Sequence, residues 1–303
     1  MASSNPKWAS TCPIRTAIRI YSHWPIRLAN QVCSAQGVML LFDQSWPLMH
    51  ALFHSRAPEL AAVVEPVPGQ FPKVEDAEIA AASYGKRVAG DLYDSLRVGP
   101  ERILFGLLDV AGRRKDNQAI LSAAQETFRG LGTSLFAPPE ANESDAMSEL
   151  CLALNRSIME AADGVRSCPA FLGCYHEKLG TLCYSNAGHT SGLLRDSTGI
   201  VEIASTGLPL GLFSHATSEA PIVAMERSAA LLLVSRGVVE CEGKGDKIKD
   251  PEFGLERVKD RLRDDESTSA EQMCSSILTA VGEFMCGSPV IDDATALALI
   301  RRP

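Results

Sequence analysis

The sequence has no surplus of basic residues: 29 Lys and Arg stand against 37 Asp and Glu, a net charge of −8 over 303 residues. That balance excludes non-specific binding to nucleic acid or to anionic membrane, which draws on a basic surface. There is no Cys-x-x-Cys, and the nine cysteines (12, 33, 151, 168, 174, 183, 241, 274 and 286) are odd in number. A zinc knuckle and a thioredoxin-type motif are thereby excluded, and the thiols read as reduced and mostly buried. No run reaches the ~18 apolar residues of a membrane helix. The longest N-terminal apolar stretch, Gly37 to Phe42, is too short for one and follows too much polar sequence for a signal peptide. The expected location is the cytoplasm. Internal repeats and low-complexity stretches are also missing.

What is present is ordinary globular material: 46% hydrophobic and 22% charged residues. At about 150 residues per domain the length suggests one large domain or two small ones, with enough apolar surface to form a core and to exclude bulk disorder. The charge is uneven. Residues 1–70 hold Lys7, Arg15, Arg19, Arg27 and Arg56 against Asp43, Glu59 and Glu65, a net of +2, so the remainder carries −10. Residues 1–60 show no clean period and are interrupted by Pro13, Pro25, Pro47 and Pro58, with short helices expected around 26–34 and 47–55. They read as a helical appendage, a leader or an upstream extension, and as a regulatory or dimerising piece they make a homodimer one expected state. Residues 65–73 contain three prolines and a glycine and read as a linker. The expected division is therefore 1–74, extension and linker, and 75–303, one folded domain.

From residue 75 the pattern is regular. Strands are expected at Ala77–Ser83, Leu92–Val98 and Arg102–Val110, the last apolar enough to be buried on both faces. Helices follow at Lys115–Leu131, with Ile120, Ala123, Ala124, Thr127 and Phe128 on one stripe, and at Glu143–Ala162. A hairpin is expected at Ala170–Tyr175 and Thr181–Ser185, then strands at Ser191–Arg195, Ile200–Ala204, Pro221–Met225 and Ala229–Val234. Helices at 253–264 and 269–285 precede a last strand at Ala294–Ile300. Strands and helices do not alternate, which argues against a doubly wound parallel sheet and for a β-sandwich with paired helices on its outer faces. Residues 244–265 carry seven basic and seven acidic side chains and read as a solvated loop and helix face.

Three acidic positions stand at the ends of apolar strands: Asp91 in Ala-Gly-Asp-Leu-Tyr-Asp, Asp109 in Leu-Leu-Asp-Val-Ala-Gly, and Asp292-Asp293 before the last strand. A carboxylate beside a buried strand is costly unless its charge is compensated, and hard divalent cations do this. Two such ions about 3.5–4 Å apart can activate water for in-line attack on a phosphoester.

Seven stretches, in order from 77 to 301, resemble the PPM-type metal-dependent Ser/Thr phosphatases, and among them the bacterial branch with SpoIIE and RsbU. They are Ala89-Gly-Asp-Leu-Tyr-Asp94, Asp109-Val-Ala-Gly112, Leu154-Asn-Arg156, Ser185-Asn-Ala-Gly-His189, Gly207-Leu-Pro-Leu-Gly211, Phe253-Gly-Leu-Glu-Arg257 and Asp292-Asp-Ala-Thr295. The resemblance implies an α+β fold, a four-layer α-β-β-α sandwich. It also implies two Mn2+ or Mg2+ ions, with Asp109 bridging them, the Val110 carbonyl as a further ligand, Asp292 on the second metal and Asp91 on metal-bound water. His189 is expected to support a turn rather than to react.

The chain departs from the family twice. Where the family has a ligand Asp in Tyr-Thr-Asp-Gly, this sequence has Val234-Ser-Arg236-Gly237, and an arginine cannot ligate a metal. Its guanidinium is expected between Asp109 and Asp292 in place of one cation. Where the family has Gly-His-Gly, this chain has Gly112-Arg113-Arg114, read either as an exposed helix start or, with Arg236, as substrate-phosphate binding. Two functions follow. One is a phosphatase acting on phospho-Ser or phospho-Thr of a bacterial signalling protein, for example an anti-sigma-factor antagonist. The other is an impaired pseudophosphatase that binds a phosphoprotein. Slower one-metal hydrolysis lies between them.

Overall fold

The computed structural model describes residues 71–84, 89–215, 218–243, 251–267, 269–286 and 291–303. The expected helices at 26–34 and 47–55, and nearly all of the expected extension and linker, lie outside these residues. The described residues form ten strands: β1 Ala77–Tyr84, β2 Gly90–Arg97, β3 Arg102–Val110, β4 Ala170–His176, β5 Thr181–Ala187, β6 Gly192–Asp196, β7 Gly199–Ile203, β8 Ile222–Ala224, β9 Ala230–Val234 and β10 Ala294–Arg301. The helices are α1 Gln118–Phe136, α2 Glu143–Ala161, α3 Arg236–Val239, α4 Gly254–Asp264 and α5 Ala270–Met285.

Two five-stranded antiparallel sheets form, with orders β1-β10-β9-β6-β7 and β2-β3-β4-β5-β8. Period-two alternation sends successive side chains of a strand to opposite faces. In β3, Ile103, Phe105 and Leu107 enter the layer between the sheets, while Leu104 and Leu108 meet α1 and α2. In β10, Leu297 and Leu299 face inward, while Ala296, Ala298 and Ile300 meet α5. Three apolar layers result, giving the expected α-β-β-α sandwich. Interior strand β3 is buried at all nine residues because it has a sheet on one face and helices on the other.

Most element boundaries fall within two residues of expectation. Helix α1 differs: it starts at Gln118 and runs to Phe136. Residues 113–117 close a turn instead, with the Arg113 carbonyl accepting from the Asp116 and Asn117 amides. The late end is set by Pro138-Pro139 and by the buried Arg102 guanidinium, which donates to the carbonyls of Phe136, Pro138 and Pro139 and pairs with Glu143 at 2.7 Å. The buried stripe is also rotated: Ile120, Leu121, Ala124 and Phe128 are buried, whereas Ala123 and Thr127 are half-buried. Short helix α3 was not expected at all.

Candidate active site

The site lies at one open end of the inter-sheet layer, and the strand alternation puts it there. On β3 the inward series 103, 105, 107 continues to Asp109. On β9 the series Leu231, Leu233 continues to Ser235, and on β10 the series Leu299, Leu297 runs back to Thr295 and Asp293. Asp91 is the direct cross-strand partner of Asp109. At this one end, four strands change from apolar to polar at inward-facing positions.

Asp91 and Asp109 are both buried. Burial and the facing Asp109 carboxylate hold the Asp91 pKa well above the usual range, against hydrogen bonding from Thr295 and Ser235. Asp109 is pushed up to about 6, first by burial, with the Arg236 charge pulling it back and Asp292 adding repulsion. Asp293, flagged in sequence but given no role there, is the site's clamp. Its Oδ1 accepts from the Ala89 amide at 2.9 Å and its Oδ2 from the Asp91 amide at 3.2 Å, tying β10 of one sheet to the start of β2 in the other. The Ser235 hydroxyl donates to the Asp293 carbonyl and accepts from the Thr295 amide.

Arg236 opens helix α3 immediately after β9 and reaches across this cluster. Its Nη2 donates to Asp292 Oδ2 at 2.9 Å, and its Nε lies 3.8 Å from Asp109 Oδ2 and 3.7 Å from Glu240 Oε2. The guanidinium thus spans two separate carboxylates rather than gripping one bidentately. The other oxygen of Asp292 accepts from the Asp293 amide at 2.9 Å. The close approach depends on Gly237, where a Cβ would stand 2.3 Å from the Asp293 carbonyl oxygen.

The second basic group divides. Arg113 is exposed, while Arg114 is half-buried and donates to the Asp91 backbone carbonyl at 3.2 Å. The left-handed turn falls on Gly112, φ 109°, and not on either arginine, so their side chains cost no backbone strain. The Val110 carbonyl lies beside the site and accepts from the Nδ2 of buried Asn117 at 3.3 Å, a residue the sequence did not flag. His189 is buried. Its amide donates to Asn186 Oδ1 at 2.8 Å, and burial depresses its pKa to about 4, so it is a neutral turn residue. Asn155 of the Leu-Asn-Arg stretch accepts from the Gly211 amide at 2.8 Å and donates to the Phe213 carbonyl at 2.9 Å, holding the 207–213 loop.

Among the described residues no three His, Cys, Asp or Glu side chains converge as a metal cage. The two halves of the expected two-metal site differ in fit. Asp91 and Asp109 face each other as hard oxygen donors whose mutual repulsion a cation relieves, and with the Val110 carbonyl and several waters they suit Mg2+ or Mn2+. The space between Asp109 and Asp292 does not fit a second ion, because the Arg236 guanidinium spans it.

Sandwich and acidic cluster together define a PPM-type (PP2C) phosphatase fold. The model of the family Stage II sporulation protein E (SpoIIE) matches residues 99–302, and the chain belongs to that family. Solved structures share the fold. The RsbU and RsbW domains of Rv1364c from Mycobacterium tuberculosis superpose with a TM-score of 0.62 at 22% identity, over 76% of this chain and 61% of that one. The SiaA PP2C domain of Pseudomonas aeruginosa gives 0.62 at 16%, over 74% and 86%. The SpoIIE phosphatase domain with a regulatory fragment from Bacillus subtilis gives 0.60 at 14%, over 75% and 62%. This chain thus spans about three fifths of the first and third of these. RsbX, at 0.52 and 12% over 77% and 98%, was solved in complex with magnesium. No curated protein sequence matches the chain.

Among the described residues no helix is long and apolar enough to cross a membrane.

Proposed function

We propose that this domain recognises phospho-Ser or phospho-Thr on a bacterial regulatory protein, such as an anti-sigma-factor antagonist, in the cytoplasm, and hydrolyses it slowly with one divalent cation. The observation that carries this reading is the Arg236 guanidinium, 2.9 Å from Asp292 and 3.8 Å from Asp109. Family membership supports the reaction class, and the RsbU–RsbW pairing in the mycobacterial structure supports a partner-switching context.

Asp109 and the Val110 carbonyl would hold a single Mn2+ or Mg2+, with Asp91 on its water, and the ion would supply Lewis acidity and an activated water. The chain's own residues do the rest. Arg236 balances Asp109 and Asp292 and, with a side chain 41% exposed, keeps N–H groups open for phosphoryl oxygens. Arg114 holds the Asp91 carbonyl, and Arg113 adds positive charge at the rim. Asp293 fixes the start of β2, so Asp91 and Asp109 stay opposed.

The test is Mn2+ titration alongside hydrolysis of p-nitrophenyl phosphate by wild type and Arg236→Asp. Wild type should bind one Mn2+. The variant should bind a second and turn over about tenfold faster or more, the effect of restoring a two-ion centre. Equal stoichiometry and equal rates would overturn the reading. Absence of hydrolysis by both proteins would leave only the phosphoprotein-binding module.

A further inference from the structure

Arg166 lies in the connection between α2 and β4, where neither the motif pattern nor the expected metal chemistry places a functional group. Its backbone is tightly held. The Arg166 amide donates to the Gly211 carbonyl at 3.2 Å, and Cys168 exchanges both hydrogen bonds with Leu210. The next residues run directly beside the site strand: the Ser167 carbonyl accepts from the Ala111 amide and the Pro169 carbonyl from the Asp109 amide. Arg166 is therefore anchored on the same backbone as Asp109.

The side chain turns back over the Asp109–Gly112 corner. A Cβ built on Gly112 would lie 3.4 Å from Arg166 Nη1, so this glycine leaves the guanidinium room. Most arginines that pack against the domain find an acid or a set of carbonyls: Arg97 with Glu177, Arg102 with Glu143, Arg129 with Asp94, Arg195 with the Leu262 carbonyl. Arg166 has no ion pair among the described residues, and its buried Nε has no hydrogen-bond partner there. Asn117 Oδ1, itself without a hydrogen-bond partner, would lie 3.9 Å from the same built Cβ, and a neutral amide does not offset the charge. A partly buried cation with unspent donors is costly, and an anion removes the cost. The two backbone segments joined at Arg166 and Gly211 also carry exposed apolar side chains, Val165 at 71% and Phe213 at 56%.

We propose that Arg166 is a binding residue for the phosphoryl group of the substrate, a charge-assisted donor at the Asp109–Gly112 corner of the site. This rests on the phosphoester reading of the site given above. Planar, bidentate donation suits phosphate oxygens, and a fixed backbone limits the entropy lost on binding. The exposed Val165 and Phe213, on the two segments joined there, supply the apolar ledge beside which the phosphorylated segment lies.

The test uses the full chain with Mn2+, p-nitrophenyl phosphate as substrate and inorganic phosphate as competitor. Arg166→Gln should raise KM and the phosphate inhibition constant together by about tenfold, the usual effect of losing one charge-assisted bond, with kcat within about twofold and the melting temperature unchanged. Arg166→Lys should recover part of the loss. If both constants stay at wild-type values while wild type hydrolyses the ester, the assignment of Arg166 is wrong and the functional reading stands. A fall in kcat and melting temperature at constant KM would make Arg166 a scaffold for the 207–213 loop and would also overturn it. Wild type showing neither hydrolysis nor phosphate-dependent thermal protection would bring down the functional reading, and this inference with it.

Discussion

Arg236 Nη2 donates to Asp292 Oδ2 at 2.9 Å across the end of the sandwich, joining the second residue after β9 to the second residue before β10. Both side chains remain partly in water, at 41% and 27% exposure. An ion pair of that kind contributes little, so Arg236→Gln should lower stability by less than about 1 kcal/mol in urea unfolding. A loss of about 3 kcal/mol or more would show the pair to be a buried structural element instead.

Asp293 is a different case. It is 2% exposed and accepts from two backbone amides of the opposite sheet. Asp293→Ala leaves both amides buried without an acceptor, and a cost of about 2–4 kcal/mol follows. Asp293→Asn keeps one acceptor and should cost less. Denaturant midpoints of the two variants check the order, and equal stability of Asp293→Ala and wild type would refute the clamp.

Asn155 holds the loop that carries Phe213 through two hydrogen bonds, to the Gly211 amide and the Phe213 carbonyl. Asn155→Ala should cost about 1–3 kcal/mol and speed amide hydrogen exchange at Gly211. Unchanged exchange at that amide would mean that the loop is held by the Cys168–Leu210 pairing alone.

His189 sets a pH dependence. Its folded pKa is depressed to about 4 by burial, below the ordinary 6.5. Between those values the unfolded chain binds the proton more readily. Its contribution is therefore complete above pH 6.5 and declines as pH falls toward 4, by up to about 3 kcal/mol. Wild type should lose more stability than His189→Gln between pH 7 and 4.5, as read from melting temperatures. Parallel curves for the two proteins would show that the imidazole stays neutral in neither state or both.

Much of this architecture is legible in the sequence. Strand β3 reads as buried on both faces because its nine residues contain no polar side chain between Arg102 and Asp109, and helix α2 begins at Glu143 where Asn142 caps it. Helix α1 is less legible, since what ends it is Arg102, distant in sequence, together with Pro138-Pro139. The site is partly legible: Asp91, Asp109, Asp292 and Arg236 stand out as charges where apolar strands stop. Asn117, Asp293 as a clamp, and Arg166 do not, because each matters through a backbone group or a gap that belongs to another element.

The amino-acid sequence by itself determined the three apolar layers and the strand ends at which polarity appears, because burial follows side-chain period. It also determined that position 236 carries a positive charge, because arginine stays protonated. Only the tertiary structure decided where that charge goes. Bringing β9 and β10 together, with Gly237 admitting the Asp293 carbonyl, sets the guanidinium between Asp109 and Asp292, where it takes up space and charge that a second cation would need.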